Sequence, residues 1–177
     1  MGFERVSVEK LTAVIIGITI LVIAAGGVIR IYDAGESCPD WPTCFGTWGF
    51  DISEEEQKEW FDENPSEIDS RGSSHTYTSF QIFTEWIHRL LAGVVLGPLV
   101  ILNWLVIRKD DELTNEVKLA SVISVVLIGW QGFLGYVTVK LDNLHWSVAL
   151  HLASALLFLM SLVWIWLATV RDKEEIP

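Results

Sequence analysis

The sequence predicts an all-α integral membrane protein, a four-transmembrane-helix bundle with a long outer loop between its first and second helices. Three observations carry that prediction. Four stretches contain no Asp, Glu, Lys or Arg, namely Leu11–Ile29, Leu90–Ile107, Leu119–Val139 and Asn143–Val170. Hydrophobic residues make up 51% of the 177-residue chain, and the mean hydropathy is +0.40. The basic residues gather at alternate ends of the four stretches.

Each stretch is long enough to span, since a hydrocarbon core of about 30 Å takes roughly 20 helical residues. As buried helices of a soluble domain, four such runs would leave too little polar chain to cover them. One membrane domain over 1–177 is therefore expected, with helices at about 9–31, 79–107, 116–139 and 143–170 and the outer loop at about 32–78. The first run is longer than the apolar region of a removable signal peptide, and Gly-Gly-Val-Ile-Arg is a poor cleavage site. The residues before it carry both Glu and Lys, unlike a mitochondrial leader. A prokaryotic cell membrane is the simplest home.

Orientation follows from the cations. Arg5 and Lys10 precede the first helix, Arg108, Lys109 and Lys118 lie between the second and third, and Arg171 and Lys173 follow the fourth. The positive-inside bias puts both termini and the middle loop in the cytoplasm and the long loop outside. That loop is acidic, with twelve Asp and Glu between Tyr32 and Phe80 against Lys58 and Arg71, and it dominates the net charge of −11. A solvated surface is the expectation for it, and its sign excludes nucleic acid as a partner. Within it, Ser53 to Phe61 reads as a capped surface helix, and Asn64-Pro65 and Arg71-Gly72-Ser73-Ser74 as breakers.

Cys38 and Cys44, the only cysteines, both fall on the outer loop. An oxidising compartment favours a disulfide between them, free thiols being the alternative. A metal site there lacks a nearby His to complete a tetrahedral set.

Of four histidines, His75 lies in polar loop and is expected to be solvated, and His145 sits beside Trp146 where interfacial aromatics gather. His88 and His151 differ. Each lies about eight or nine residues into a helix running inward, at a depth of roughly 12–13 Å. Ionisable groups within spans are rare and usually mark function. One buried His could simply be hydrogen-bonded to a neighbour, but two at matched depth on different helices can supply both axial bonds to a heme iron. Gly26-Gly27, Gly132 and Gly135 suit either tight helix packing or a flat macrocycle. Glu85 shares a face with His88. It is either a headgroup-level carboxylate paired with Arg30 or Arg89, or a carboxylate at the porphyrin edge able to move protons. Arg30 and Arg89 could pair with heme propionates.

Those residues carry a resemblance. Gly26-Gly27-Val28-Ile29-Arg30 and Gly35-Glu36-Ser37-Cys38-Pro39-Asp40-Trp41-Pro42-Thr43-Cys44-Phe45-Gly46 resemble the first helix end and outer loop of heme A synthases. Glu85-Trp86-Ile87-His88-Arg89 is similar to that family's Glu-x-x-His-Arg motif. Gln131 to Val139 is similar to its third-helix motif, and His151-Leu152-Ala153-Ser154-Ala155 to its fourth. The resemblance implies oxidation of the C8 methyl of heme O to a formyl group, giving heme A for terminal oxidases. It implies His88 and His151 as iron ligands, Glu85 as the catalytic carboxylate, and Arg30, Arg89 and Gln131 among the cofactor-binding residues. It also implies heme b as cofactor, heme O as substrate, and a Cys38–Cys44 pair near the pocket. Typical members have eight helices and two His pairs, whereas this chain carries four helices and one pair; either copies assemble to divide the two jobs or one pocket does both in turn, and a homo-oligomer is the preferred expectation. A heme O synthase and an electron donor are the further partners implied. Two competing classes are a non-catalytic b-type cytochrome relaying electrons, which has no use for Glu85, and a thiol oxidoreductase, which would need a second cysteine pair.

Overall fold

A computed structural model describes residues 3–72 and 74–174, with side chains for 8–72 and 74–171. The side chains of Arg5 and Lys173, and Ser73 in the expected breaker, lie outside the described residues. Five helices matter: α1 (Phe3–Ile31), α2 (Glu54–Glu63), α3 (Ser79–Lys109), α4 (Asn115–Lys140) and α5 (His145–Glu174). Among the described residues there is no strand. All but α2 are long and apolar enough to cross a membrane, so the four-helix membrane architecture holds.

The packing order fixes what can meet what. Helix α1 packs on α5, α5 on α4, α4 on the inner half of α3, and α3 back on α1. Helices α3 and α5 therefore stand on one diagonal of the bundle and α1 and α4 on the other. Apolar burial drives this assembly, and it falls into three clusters. One at the inner end joins Val8, Ile107, Val117 and Ile165. One at mid-depth joins Ile15, Leu96, Val100, Phe158 and Leu162. One outside joins Cys38, Cys44, Phe45, Phe61, Tyr77 and Ile82. Between the last two, Leu134 is the only buried apolar side chain among the described residues. Helix α1 has none after Val22, α3 has none between Ile82 and Leu96, and α5 has none ahead of Phe158. That layer holds the histidines.

Helix α3 is α-helical over Ser79–Leu90, widens to a π turn over Leu91–Leu96, and resumes as α-helix over Gly97–Lys109. The cause is local. Pro98 has no N–H to donate to Val94, and the Gly97 N–H reaches back five residues to the Ala92 carbonyl. Helix α5 begins at His145 rather than Asn143, because Asp142 and Asn143 adopt left-handed φ of 47° and 51°, a conformation these two residue types tolerate.

The long loop is a folded cap in its second half. Helix α2 opens on a capping box, Ser53 Oγ accepting from the Glu56 N–H while Glu56 accepts from the Ser53 N–H. The buried amide of Gln57 bonds both backbone groups of Tyr77. Arg71 gathers Asp33, Glu36, Asp69 and the Tyr77 hydroxyl, while Asn143 donates to Glu36 and Lys140 pairs with Glu67. The insert is thus lashed to the outer ends of α1 and α4. The expectation of a solvated loop holds for the exposed glutamates of α2 and fails for this network. His75 departs from its expected solvation too. Its Nε2 is buried without a partner and its ring stands edge-on to Tyr77, 4.9 Å away.

Candidate functional site

His88 projects from the outer half of α3 toward α1. Its Nδ1 lies 3.1 Å from the carbonyl oxygen of Val22. A carbonyl only accepts, so Nδ1 carries the proton and Nε2 keeps a free lone pair. Fixing the ring this way is the arrangement metal-ligating histidines generally use. Gly26 makes the approach possible, since a Cβ there would stand 3.4 Å from His88 Cε1. The Val22 carbonyl lies four residues before Gly26 on the same helix face, where a small side chain leaves room for an imidazole.

His151 occupies the diagonal position on α5. A Cβ on Gly135 of α4 would stand 3.5 Å from its Cε1, so each histidine rests against a glycine of a neighbouring helix. Gln131, one turn before Gly135, donates from Nε2 to the His151 carbonyl at 3.0 Å and locks α4 to α5 at this level. His151 Nδ1 is buried with no partner, as are Ser154 Oγ three residues on and Thr138 Oγ1 on α4.

A tetrapyrrole suits this layer on three counts. One imidazole presents an oriented acceptor nitrogen and the other a buried nitrogen left unsatisfied, an arrangement that ordinarily calls for a metal or water. Both rings are backed by glycine. The layer lacks the apolar packing that fills the bundle below it.

Glu85 and Arg89 are placed one helical turn apart, at 5% and 13% side-chain exposure, as an ion pair. Glu85 Oε2 accepts from the Cys38 N–H at 2.9 Å and from the Ser37 hydroxyl at 3.1 Å. Arg89 donates to Glu85 and to the carbonyls of Cys38, Asp40 and Thr43. Cys38 and Cys44 are disulfide-bonded. The pair on α3 therefore grips both sides of the seven-residue disulfide ring. Of the two readings of Glu85, pairing with Arg89 is present. With both Nη atoms committed to the ring, Arg89 is not free for a propionate as expected. Arg30 is exposed near the end of α1 and sits apart from this network.

Sequence reasoning missed Ser37, the Val22 carbonyl and the ring carbonyls. Ser37 lay inside the motif already singled out, but main-chain acceptors leave no signal in residue identity. Outside the membrane, burial raises the pKa of Glu36 despite the neighbouring Arg71 guanidinium, which opposes it. Burial first, and then the hydrogen bond to Asp69, push the Tyr77 hydroxyl far above its ordinary value.

A family described as COX15-CtaA, cytochrome oxidase assembly protein, matches residues 9–177. Curated relatives named heme A synthase include those of Shewanella oneidensis, 32% identical over 85% of this chain and 42% of the relative, and Neorickettsia sennetsu, 30% over 93% and 53%. That of Erythrobacter litoralis is 27% identical over 85% and 48%. The chain spans about half the length of the curated relatives it matches. No solved structure matches.

Proposed function

Because the chain belongs to the COX15-CtaA family of cytochrome oxidase assembly proteins, we propose that it is a heme A synthase, oxidising the C8 methyl of heme O to a formyl group. The observation that carries the reading is the diagonal pair His88 and His151, each backed by glycine in a layer without apolar fill. His88 would bind iron through Nε2, its Nδ1 proton being held by Val22. His151 would bind from α5. When bound, heme supplies the oxidising chemistry.

The chain's own residues hold and orient. Glu85 is the proposed catalytic carboxylate, on the face of α3 that carries His88. Its Oε1 is committed to Arg89, but at Oε2 the Ser37 hydroxyl has one proton for three acceptors: the Ala34 carbonyl, the Gln81 carbonyl and Glu85 itself. Rotation of that hydroxyl among its acceptors adds or removes one hydrogen bond at the carboxylate, and so tunes how readily Oε2 takes a proton. Arg89 is a positioning residue, and Gln131 keeps His151 in register. Arg30 is left to meet a propionate at the outer rim.

Heme O is the proposed substrate and heme b the cofactor. With one His pair in this chain, two copies would divide those roles as a homo-oligomer. A heme O synthase would supply the substrate, and an electron donor would complete the cycle. The proposed setting is the cell membrane, with cytoplasmic termini and the α2 cap outside; Lys10, Arg108 and Lys109 are exposed at the inner end, as the positive-inside bias requires.

The test is pigment extraction from a host lacking its own heme A synthase, with a heme O synthase co-expressed. Formyl-bearing heme is expected with this chain, and both His88→Ala and His151→Ala should abolish it together with the low-spin spectrum. Wild-type protein that holds heme yet leaves heme O unchanged would defeat the proposal and leave an electron-carrying cytochrome.

A further inference from the structure

Ten residues of the outer loop, Trp41 to Phe50, carry no charge, although the loop around them is strongly acidic. Two of them are large and open. Trp41 is 58% exposed and Trp48 67%. We propose that this segment is a membrane-interface element, seated in the headgroup–acyl boundary of the outer leaflet with phospholipid as its partner.

Depth is the first argument. The segment does not rise away from the bundle but lies along the outer half of α3. Trp86 Nε1 donates to the Trp48 carbonyl at 2.8 Å, and the Phe50 ring packs 5.0 Å from both Phe83 and Trp86. Trp86 stands seven residues beyond Ser79, about 10 Å down the helix axis. The 31 residues of α3 extend about 46 Å, against about 30 Å of hydrocarbon and 40–45 Å with the headgroup zones. Centred in the bilayer, α3 enters hydrocarbon about 8 Å below Ser79, so Trp48 and Phe50 fall at that boundary. Exposed tryptophan and phenylalanine at this level form the aromatic belt expected where ring faces meet acyl chains and indole N–H groups meet water.

Backbone chemistry is the second. Irregular chain at membrane depth needs its polar groups satisfied by protein. Here Cys44 and Thr47 exchange both backbone hydrogen bonds, Gly46 donates to Asp40 and Gly49 to the Thr47 hydroxyl. Arg89 takes the Asp40 and Thr43 carbonyls, and Trp86 takes that of Trp48. Pro42 has no N–H to satisfy. The acidic helix α2 packs on the same loop through Trp60 and Phe61 against Phe45, and its Glu56, Glu59 and Glu63 line a pocket with Phe45 and Thr47, so the proposal seats this part of the segment at headgroup level, where carboxylates stay hydrated.

The inference is independent of the reaction proposed above. It is tested by fluorescence of the full chain in nanodiscs, wild type minus Trp48→Phe and wild type minus Trp41→Phe. The hydrogen bond to Trp86 uses the main-chain carbonyl of residue 48, so the variant keeps it. The Trp48 and Trp41 components should be lost when the lipid is brominated high on its acyl chains and should resist aqueous iodide. A Trp60→Phe difference serves as a control and should show no lipid quenching. Quenching of the Trp48 component by iodide alone would put the segment in water. Quenching by neither would put it against protein. Both results overturn the proposal.

Discussion

The Glu85–Arg89 pair allows a quantitative test of how the outer loop is held. Both side chains are nearly buried, so water compensates little when one is removed. In Arg89→Leu the carboxylate keeps only the Cys38 N–H and Ser37 hydroxyl, and the carbonyls of Cys38, Asp40 and Thr43 lose their donor. Breaking a buried pair from one side costs about 3–5 kcal/mol. Glu85→Gln is gentler. Its amide oxygen still accepts from Cys38, and Arg89 keeps three carbonyls, so the loss is that of one charged hydrogen bond, about 1.5–3 kcal/mol. In the double variant no buried charge is stranded. Its loss should fall short of the sum by about 2 kcal/mol, within the range seen for residues in direct contact. Unfolding by SDS titration in mixed micelles, run on wild type, both singles and the double, measures the cycle. Additivity to within about 0.5 kcal/mol would mean that the two groups do not interact, and the loop clamp described above would be wrong.

Further expectations concern groups around the site. Gly26→Ala should be tolerated, since its Cβ would meet His88 Cε1 at ordinary contact distance, whereas Gly26→Leu should push the ring off Val22 and remove the heme spectrum; an intact spectrum in the leucine variant would refute the packing. Gln57→Leu leaves the buried N–H and C=O of Tyr77 unpaired, costing about 2 kcal/mol and raising the open population of the cap about 30-fold, to be read as faster proteolysis between α2 and α3. Tyr77 keeps its proton in the folded chain above pH about 10, where a free phenol loses it, so stability should fall as pH rises past that point. The difference in tyrosinate absorbance between wild type and Tyr77→Phe should stay near zero until the protein unfolds.

What the sequence made legible was whatever depends on runs and periods. Uncharged length predicts four spans, and the cation distribution predicts how they alternate. The disulfide was legible because both cysteines fall on one loop, and the α2 helix because Ser53 precedes a run of glutamates. The interrupted α3 was not read, although Pro98 is its local cause. A proline in an apolar run does not say whether the helix kinks, widens or ends. The role of Arg89 was read toward a ligand because its true acceptors are main-chain carbonyls of a loop folded back from some fifty residues earlier. His75 was expected in solvent for a related reason: nothing in a polar local sequence reveals that its ring will stand against Tyr77.

Helix α3 explains why these features belong together. Its inner half is ordinary packing, with Val100 and Ile107 against neighbours. Past the π turn, one helical turn presents Glu85 and Arg89 to the disulfide ring and His88 to α1. Residues three and four apart share a helical face, so clamping the ring at Glu85 and Arg89 also fixes the rotation of α3 about its axis. That rotation sets where the His88 imidazole points. Over this outer half α3 packs mainly on α1 rather than α4, so the bond to Val22 and the grip on the ring, with Gln81 on Tyr32 and Trp86 on Trp48, are polar contacts that hold it. The outer loop is therefore part of the ligand geometry. Loosening the ring should disturb His88 before it disturbs His151, whose helix is held independently by α1, by α4 and by Gln131.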